Sequence, residues 1–367
     1  MECEFVHGSD PKLVNQGPLL FHRRFRTSRR TEAIAMSMPN FAMWGKALTV
    51  MPRIDKSEWD ALDIVSRWLI ATRSAVIIMT FTSAAFAGLL AYKDGAFDWV
   101  LWLLVTGGLC LAHATNNIIN DLTDHHKGVD KDNYFRTQYG PQTIEAGFMT
   151  VKQMLVYAAV TGGAALALGV YLVMLRGEIA LMLLGAGVFF VLFYTWPLKY
   201  IGAGEPAVLA VWGPLMVGGG YYIITGVWSN EVAVASIAYA LGPTAVLFGK
   251  HIDKLDADEE KKIRTLPVIL GEKLSRHCVV GMLVLQFFVV AYLVATGYFH
   301  PIMLGVLAAA PSLKQVLRVY RHPRPSSPPK ELPDGVWPLY FVATAFWYNR
   351  RFGILFLVGL IIDTALS

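Results

Sequence analysis

The chain has 367 residues, of which 55% are hydrophobic and 16% charged, whereas soluble domains carry about 25% charged residues. With a mean hydropathy of +0.46, this excludes an ordinary soluble globule. The three cysteines, Cys3, Cys110 and Cys278, have no spacing that would build a disulfide framework or a thiolate metal site.

Residues 1–60 hold a basic run, Arg23-Arg24-Phe25-Arg26 to Arg29-Arg30, without an apolar core long enough for a signal peptide. They are expected to form a cytosolic tail drawn to anionic headgroups; residues 61–367 form the membrane domain. Apolar blocks then follow at Ser74–Tyr92, Trp99–Asn116, Leu155–Leu175, Ile179–Tyr194, Ala207–Thr225, Val232–Phe248, Val279–Tyr298, Ile302–Val319 and Phe352–Leu366. Each is near the ~17–25 residues that cross a bilayer core. The expected fold is therefore an all-α polytopic bundle of about nine spans around a central cavity. A proline-rich linker, Arg321 to Pro338, precedes an aromatic interfacial stretch, Trp337 to Tyr348.

With the N-terminus inside, 30 of the 32 Lys and Arg residues fall on the cytoplasmic side, leaving only Lys93 and Arg176 outside. Such asymmetry fixes orientation. The net charge of +5 thus reflects topology rather than nucleic-acid binding. The expected location is a bacterial or archaeal plasma membrane, with the cavity opening to the cytoplasm.

Two cytosolic connections concentrate the polar chemistry. The first reads Asn120-Asp121-Leu122-Thr123-Asp124-His125-His126-Lys127-Gly128-Val129-Asp130. On a continued helix Asn120 and Asp124 share one face, and Asp130 returns toward them after the Lys127-Gly128 turn. Such oxygen donors suit Mg²⁺, which takes one or two carboxylates and completes its shell with water and phosphate. The second runs from Gly249 to Pro267 and offers Asp253, Asp256 and Asp258 among Lys250, Lys254, Lys261, Lys262 and Arg264. Helical geometry alone does not select among these aspartates. Acids merely solvating a helix end would be the bland reading, but ionisable groups at a bundle's mouth are costly and usually functional. Acids interleaved with cations are what a magnesium diphosphate requires.

The pattern Asn120-Asp121-x-x-Asp124-x-x-Lys127-Gly128-x-Asp130, with Gly140-Pro141 and Gly147, resembles the first motif of the UbiA-type intramembrane prenyltransferases. It looks most like their menaquinone branch, which prenylates 1,4-dihydroxy-2-naphthoate. Tyr194-Thr195-x-Pro197-Leu198-Lys199-Tyr200-x-Gly202-x-Gly204-Glu205 and Asp258 to Thr265-Leu266-Pro267-Val268 are similar to later motifs of that branch. Two positions depart from it. The family spaces its second aspartates by four, which puts Lys254 where the first would fall, and Lys262 stands where a glycine is usual.

The resemblance implies Mg²⁺ between Asn120, Asp124 and Asp130 on one side and Asp253, Asp256 and Asp258 on the other. Asn120, Asp124, Asp253 and Asp258 would be the catalytic set. Arg73, Lys127, Lys131, Arg136, Lys199 and Lys250 would contact the diphosphate of a polyprenyl donor. Tyr139 and Tyr194 would face the allylic cation, and an electron-rich aromatic acceptor would capture it. A terpene cyclase is the alternative within the fold. A secondary transporter is disfavoured, because its acids belong near the midplane.

Overall fold

The computed structural model describes residues 38–129, 142–329 and 336–367. Asp130, Lys131, Arg136 and Tyr139 lie outside the described residues. Ser37–Ser367 forms one compact unit, helical but for the isolated bridge between Ile201 and Arg264 among the described residues.

The chain begins with α1 (Phe41–Thr49), α2 (Lys56–Ala61) and α3 (Ile64–Ala71). Packing therefore starts inside the stretch expected to be a tail. Trp59 is 2% exposed and stacks on Phe148 at 5.2 Å, which fixes α2 to the connection following α5. Asp63 binds this region together. Its carboxylate caps α3 through the amides of Val65 and Ser66, both at 3.0 Å. It also accepts from the Trp44 indole at 3.1 Å and the Asn40 amide at 3.2 Å. Burial alone would raise the Asp63 pKa, but hydrogen bonds from Ser66, Trp44 and Asn40 outweigh it and hold the group at about 2.

The spanning helices are α4 (Ser74–Lys93), α5 (Trp99–His126), α6 (Val151–Arg176), α8 (Gly204–Thr225), α9 (Asn230–Asp253), α11 (Leu266–Ala295), α12 (Pro301–Tyr320) and α13 (Tyr340–Leu366). A shorter apolar helix, α7 (Glu178–Phe193), supplies the ninth expected block. Several helices overrun their apolar blocks. α5 continues ten residues past Asn116, α11 begins at Leu266 with a break at Gly271, and α13 begins at Tyr340 rather than Phe352. α8 is π-helical over Val211–Gly218. Pro214 has no N–H to give to the ladder, and the wider turn absorbs the missing bond. α10 (Leu255–Glu260) is a single short turn between α9 and α11.

The bundle has two polar ends. At one, Lys93 donates to the Tyr298 carbonyl at 2.7 Å. There Arg176 donates to the carbonyls of Ile223 and Ile224, both at 2.7 Å. These are the two cations left outside by the charge count; Arg176 neutralises carbonyls in the last turn of α8, and Lys93 serves the turn that follows α11. The other end carries the terminations of α5 and α9.

At that second end Gly249 lets α13 approach α9 closely, since a Cβ there would lie 3.0 Å from the Phe341 carbonyl carbon. Lys262, after α10, has φ 56°. This is the left-handed conformation that glycine adopts without cost, so the position explains why glycine is usual there.

Replacing Lys262 with glycine relieves a strain of about 1 kcal/mol, and we expect Lys262→Gly to raise the thermal unfolding midpoint in detergent. Asp63→Ala should lower stability by about 2 kcal/mol at neutral pH, through loss of the cap. The folded Asp63 pKa of about 2 lies below the ordinary 3.8. Its contribution is therefore complete above 3.8 and disappears as the pH falls toward about 2. Thermal melts of both proteins over that range should converge at the acid end.

Candidate active site

α5 carries a polar stripe on its last three turns. Asn117, Asp121 and Asp124 are buried, and Asn120 stands between them in sequence. Buried polar groups need partners, and each finds one on a different element. Asn117 donates to the Thr72 carbonyl at 2.8 Å. Asn120 donates to Thr195 Oγ1 at 3.1 Å and to Asp124 Oδ2 at 3.3 Å. Arg73 donates to Asn120 Oδ1 at 3.2 Å and forms an ion pair with Asp121. Arg73 has φ 53°, a left-handed turn between α3 and α4 that a non-glycine residue holds only when its surroundings compensate. The ion pair supplies that compensation.

The short connection after α7 brings in Lys199, whose Nζ lies 3.3 Å from both oxygens of Asp124. From the second loop Lys254 meets Asp258 Oδ1 at 2.7 Å. Burial pushes the Lys254 ammonium below its ordinary pKa and the nearby Lys199 adds to this, while Asp258 and Asp124 hold it up. Lys254 thus sits within electrostatic reach of both carboxylates. Tyr194 is buried close to Glu205 and Asp124; burial first, then these two charges, raise its phenol pKa.

Arg73, Asn120, Asp124, Tyr194, Lys199, Lys250 and Lys254 all line one cavity of about 1290 Å³. Its remaining wall is largely apolar, with Met79, Leu109, Leu172, Leu183, Val211, Leu215 and Ile223 among its residues. The cavity therefore joins a cation-rich mouth to a greasy interior, the division of chemistry expected of a pocket for an amphiphile.

The structure separates the expected residues. Arg73, Asn120, Asp124, Tyr194, Lys199 and Lys250 come together. Asp253 does not join them, because its two oxygens accept the amides of Phe341 and Val342, each at 2.9 Å. It caps the N–H groups that have no intrahelical acceptor at the start of α13 and is fully buried there. Asp256 is exposed on the outer side of α10. Asp258 is buried beside Lys254, and its Oδ2 has no hydrogen-bond partner among the described residues. Lys127 is exposed and lies over the rings of Trp196 and Tyr200, at 5.0 and 5.3 Å from their centroids. Sequence reasoning missed Lys254 as a site residue, although its displacement of the expected aspartate was visible. It also passed over Thr195 and the buried pair Glu205–His251, with His251 Nδ1 at 2.5 Å from Glu205 Oε1. His113 lines the cavity and pairs with Thr80 at 2.8 Å. No group of three His, Cys, Asp or Glu side chains suited to a metal occurs among the described residues.

Comparison with known proteins agrees with this architecture. The chain is 26% identical over 252 residues to UbiA prenyltransferase domain-containing protein 1 of Danio rerio, covering 67% of this chain and 74% of that protein. It is 30% identical over 240 residues to the 1,4-dihydroxy-2-naphthoate octaprenyltransferase of Haemophilus influenzae, covering 62% and 75%. An apo UbiA homologue from Aeropyrum pernix superposes with a TM-score of 0.57 at 18% identity, covering 78% of this chain and 98% of that one. This supports a shared fold. Residues 81–350 match the sequence profile of the UbiA prenyltransferase family, and the chain belongs to that family of prenyl-transferring integral membrane enzymes.

Proposed function

We propose that this enzyme moves a polyprenyl group from its diphosphate to an aromatic acceptor, with 1,4-dihydroxy-2-naphthoate the favoured acceptor. One observation carries the reading: a single cavity presents Arg73, Lys199, Lys250 and Lys254 at its polar end and an apolar interior beyond them. A prenyl diphosphate has the same two-part character. The similarity to naphthoate octaprenyltransferases supports the acceptor. The basic asymmetry of the loops supports a cytoplasmic N-terminus and a cavity mouth on that face.

The donor set fits Mg²⁺ in part. Asn120 and Asp124 present oxygens one turn apart, and Asp258 keeps a buried oxygen without a partner. These three would hold the ion, with phosphate and water completing its shell. Asp253 and Asp256 do not fit, being respectively a helix cap and a surface acid. When bound, Mg²⁺ would neutralise the diphosphate as its allylic C–O bond weakens. Lys199, Lys254 and Arg73 stabilise the same developing charge directly, and they do so most effectively because neighbouring carboxylates hold them in place beforehand. The apolar wall keeps water from the allylic cation.

The test uses purified full-length protein in detergent with Mg²⁺ and a labelled polyprenyl diphosphate, with and without 1,4-dihydroxy-2-naphthoate, and product mass spectrometry. We expect a prenylated naphthoate that requires both. Asp124→Asn should cut turnover by ~10²–10³-fold, as loss of a preorganised transition-state contact does. Asp256→Ala, a surface change, should leave turnover within about twofold. A cyclised or hydrolysed isoprenoid formed regardless of the naphthoate would overturn the acceptor. Equal losses in the two variants would overturn the assignment of the site.

A further inference from the structure

The Glu205–His251 pair reaches the cavity wall through His251 and is not used by the diphosphate chemistry. Glu205 sits in the first turn of α8 and is 1% exposed, while His251 sits in the last turn of α9 and is 3% exposed. Glu205 Oε1 meets His251 Nδ1 at 2.5 Å, and Oε2 accepts the Leu266 amide at 3.3 Å. A carboxylate anchored at both oxygens fixes the imidazole plane. Because the carboxylate accepts, Nδ1 carries the proton and Nε2 presents a lone pair. Nε2 has no hydrogen bond among the described residues and is not among the sealed, unsatisfied atoms. His251 lines the cavity, so Nε2 opens onto it.

The position matters as much as the chemistry. His251 lies in the last turn of α9 and Lys254, three residues on, stands at its C-terminal cap, about 4.5 Å further along the axis. The imidazole is thus one turn deeper than the cation at the phosphate end. A hydroxyl at Nε2 would belong to a molecule lying beside the reactive end of the prenyl chain.

We propose that His251 is the catalytic proton acceptor for a hydroxyl of the aromatic acceptor, with Glu205 as its positioning residue. This rests on the reading of the chain as an aromatic prenyltransferase. As the donor C–O bond breaks, its electron pair leaves with the diphosphate, and a ring carbon beside the hydroxyl supplies the pair for the new C–C bond. The hydroxyl proton passes to Nε2, its O–H pair forming a carbonyl on the dearomatised ring. The substituent at the alkylated carbon then leaves as H⁺ or CO₂. Its bonding pair restores the aromatic ring, and His251 returns its proton to the oxygen. The Glu205 carboxylate stabilises the imidazolium in between.

The experiment compares wild type, His251→Ala, His251→Gln and Glu205→Gln as full-length proteins. Donor affinity and thermal midpoint are measured alongside acceptor KM and kcat. We expect kcat for the prenylated product to fall ~10²-fold or more in both His251 variants, the usual range for a lost general base. Donor affinity should stay within about threefold, since His251 does not touch the phosphate cations. Added imidazole should restore at least about tenfold of the lost rate in His251→Ala by re-supplying the base. Glu205→Gln should lower kcat with acceptor KM unchanged. If His251→Ala fails to fold, His251→Gln, which can still hydrogen-bond Glu205, decides on kcat against donor affinity. Prenylation by His251→Gln at the wild-type rate would overturn the proposal, as would parallel loss of donor affinity and turnover. A wild type that prenylates no aromatic acceptor would instead overturn the functional reading beneath it.

Discussion

Charge compensation at the inner ends of α5 and α9 governs this structure. Of the acids buried there, Asp121, Asp124 and Asp258 are each matched by a cation, while Asp253 accepts two backbone amides and Glu205 meets His251. Arg73 serves Asp121, Lys199 serves Asp124 and Lys254 serves Asp258. An unpaired ion in such surroundings is prohibitively costly, and removing one member of a buried pair typically destabilises by ~3–5 kcal/mol. The Arg73–Asp121 and Lys199–Asp124 pairs therefore tie the start of α4 and the connection after α7 to the inner end of α5. The same arrangement suits the proposed binding site, because cations already desolvated and positioned need little reorganisation to receive a phosphate.

The opposite end shows what polar residues do in this bundle when no chemistry is asked of them. Lys93 and Arg176 cap carbonyls, Tyr221 donates to Asp94 at 2.7 Å, and buried Asp363 accepts the His300 amide at 2.6 Å. These bonds close helix ends. Among the described residues, the cavity's lining cations all belong to the other end: Arg73, Lys199, Lys250 and Lys254.

The spans were legible because their apolar runs are long, and the first motif was legible because Asn120 and Asp124 lie one helical turn apart. Helix ends were less so. Hydropathy stops counting at Asn117, yet α5 runs to His126, since the bundle's own partners satisfy its polar groups where lipid could not. Asp253 was misassigned for a related reason. An acid at the end of a span looks the same in sequence whether it faces a cavity or another helix. What decides is that α13 starts against α9 at Gly249, a contact between residues about ninety positions apart in the chain. No local pattern encodes it.

The last turn of α9 divides its work by angle. Successive helical residues are rotated by about 100°, so Asp253 points well away from His251, while Lys254, the residue that ends the helix, lines the cavity with His251. This explains the consequence of an acid one position earlier than the family spacing. The carboxylate at 253 swings out of the cavity and becomes the cap of α13, and the ammonium at 254 enters the cavity in its place. The local charge at the phosphate end becomes more positive by two units than an acid at 254 would make it. On the proposed reading, direct Lys254 contact with phosphate would take over charge neutralisation that an acid there could provide only by recruiting a metal cation. That substitution is consistent with both features of the second loop, the salt bridge from Lys254 to Asp258 and the exclusion of Asp253 and Asp256 from the cavity.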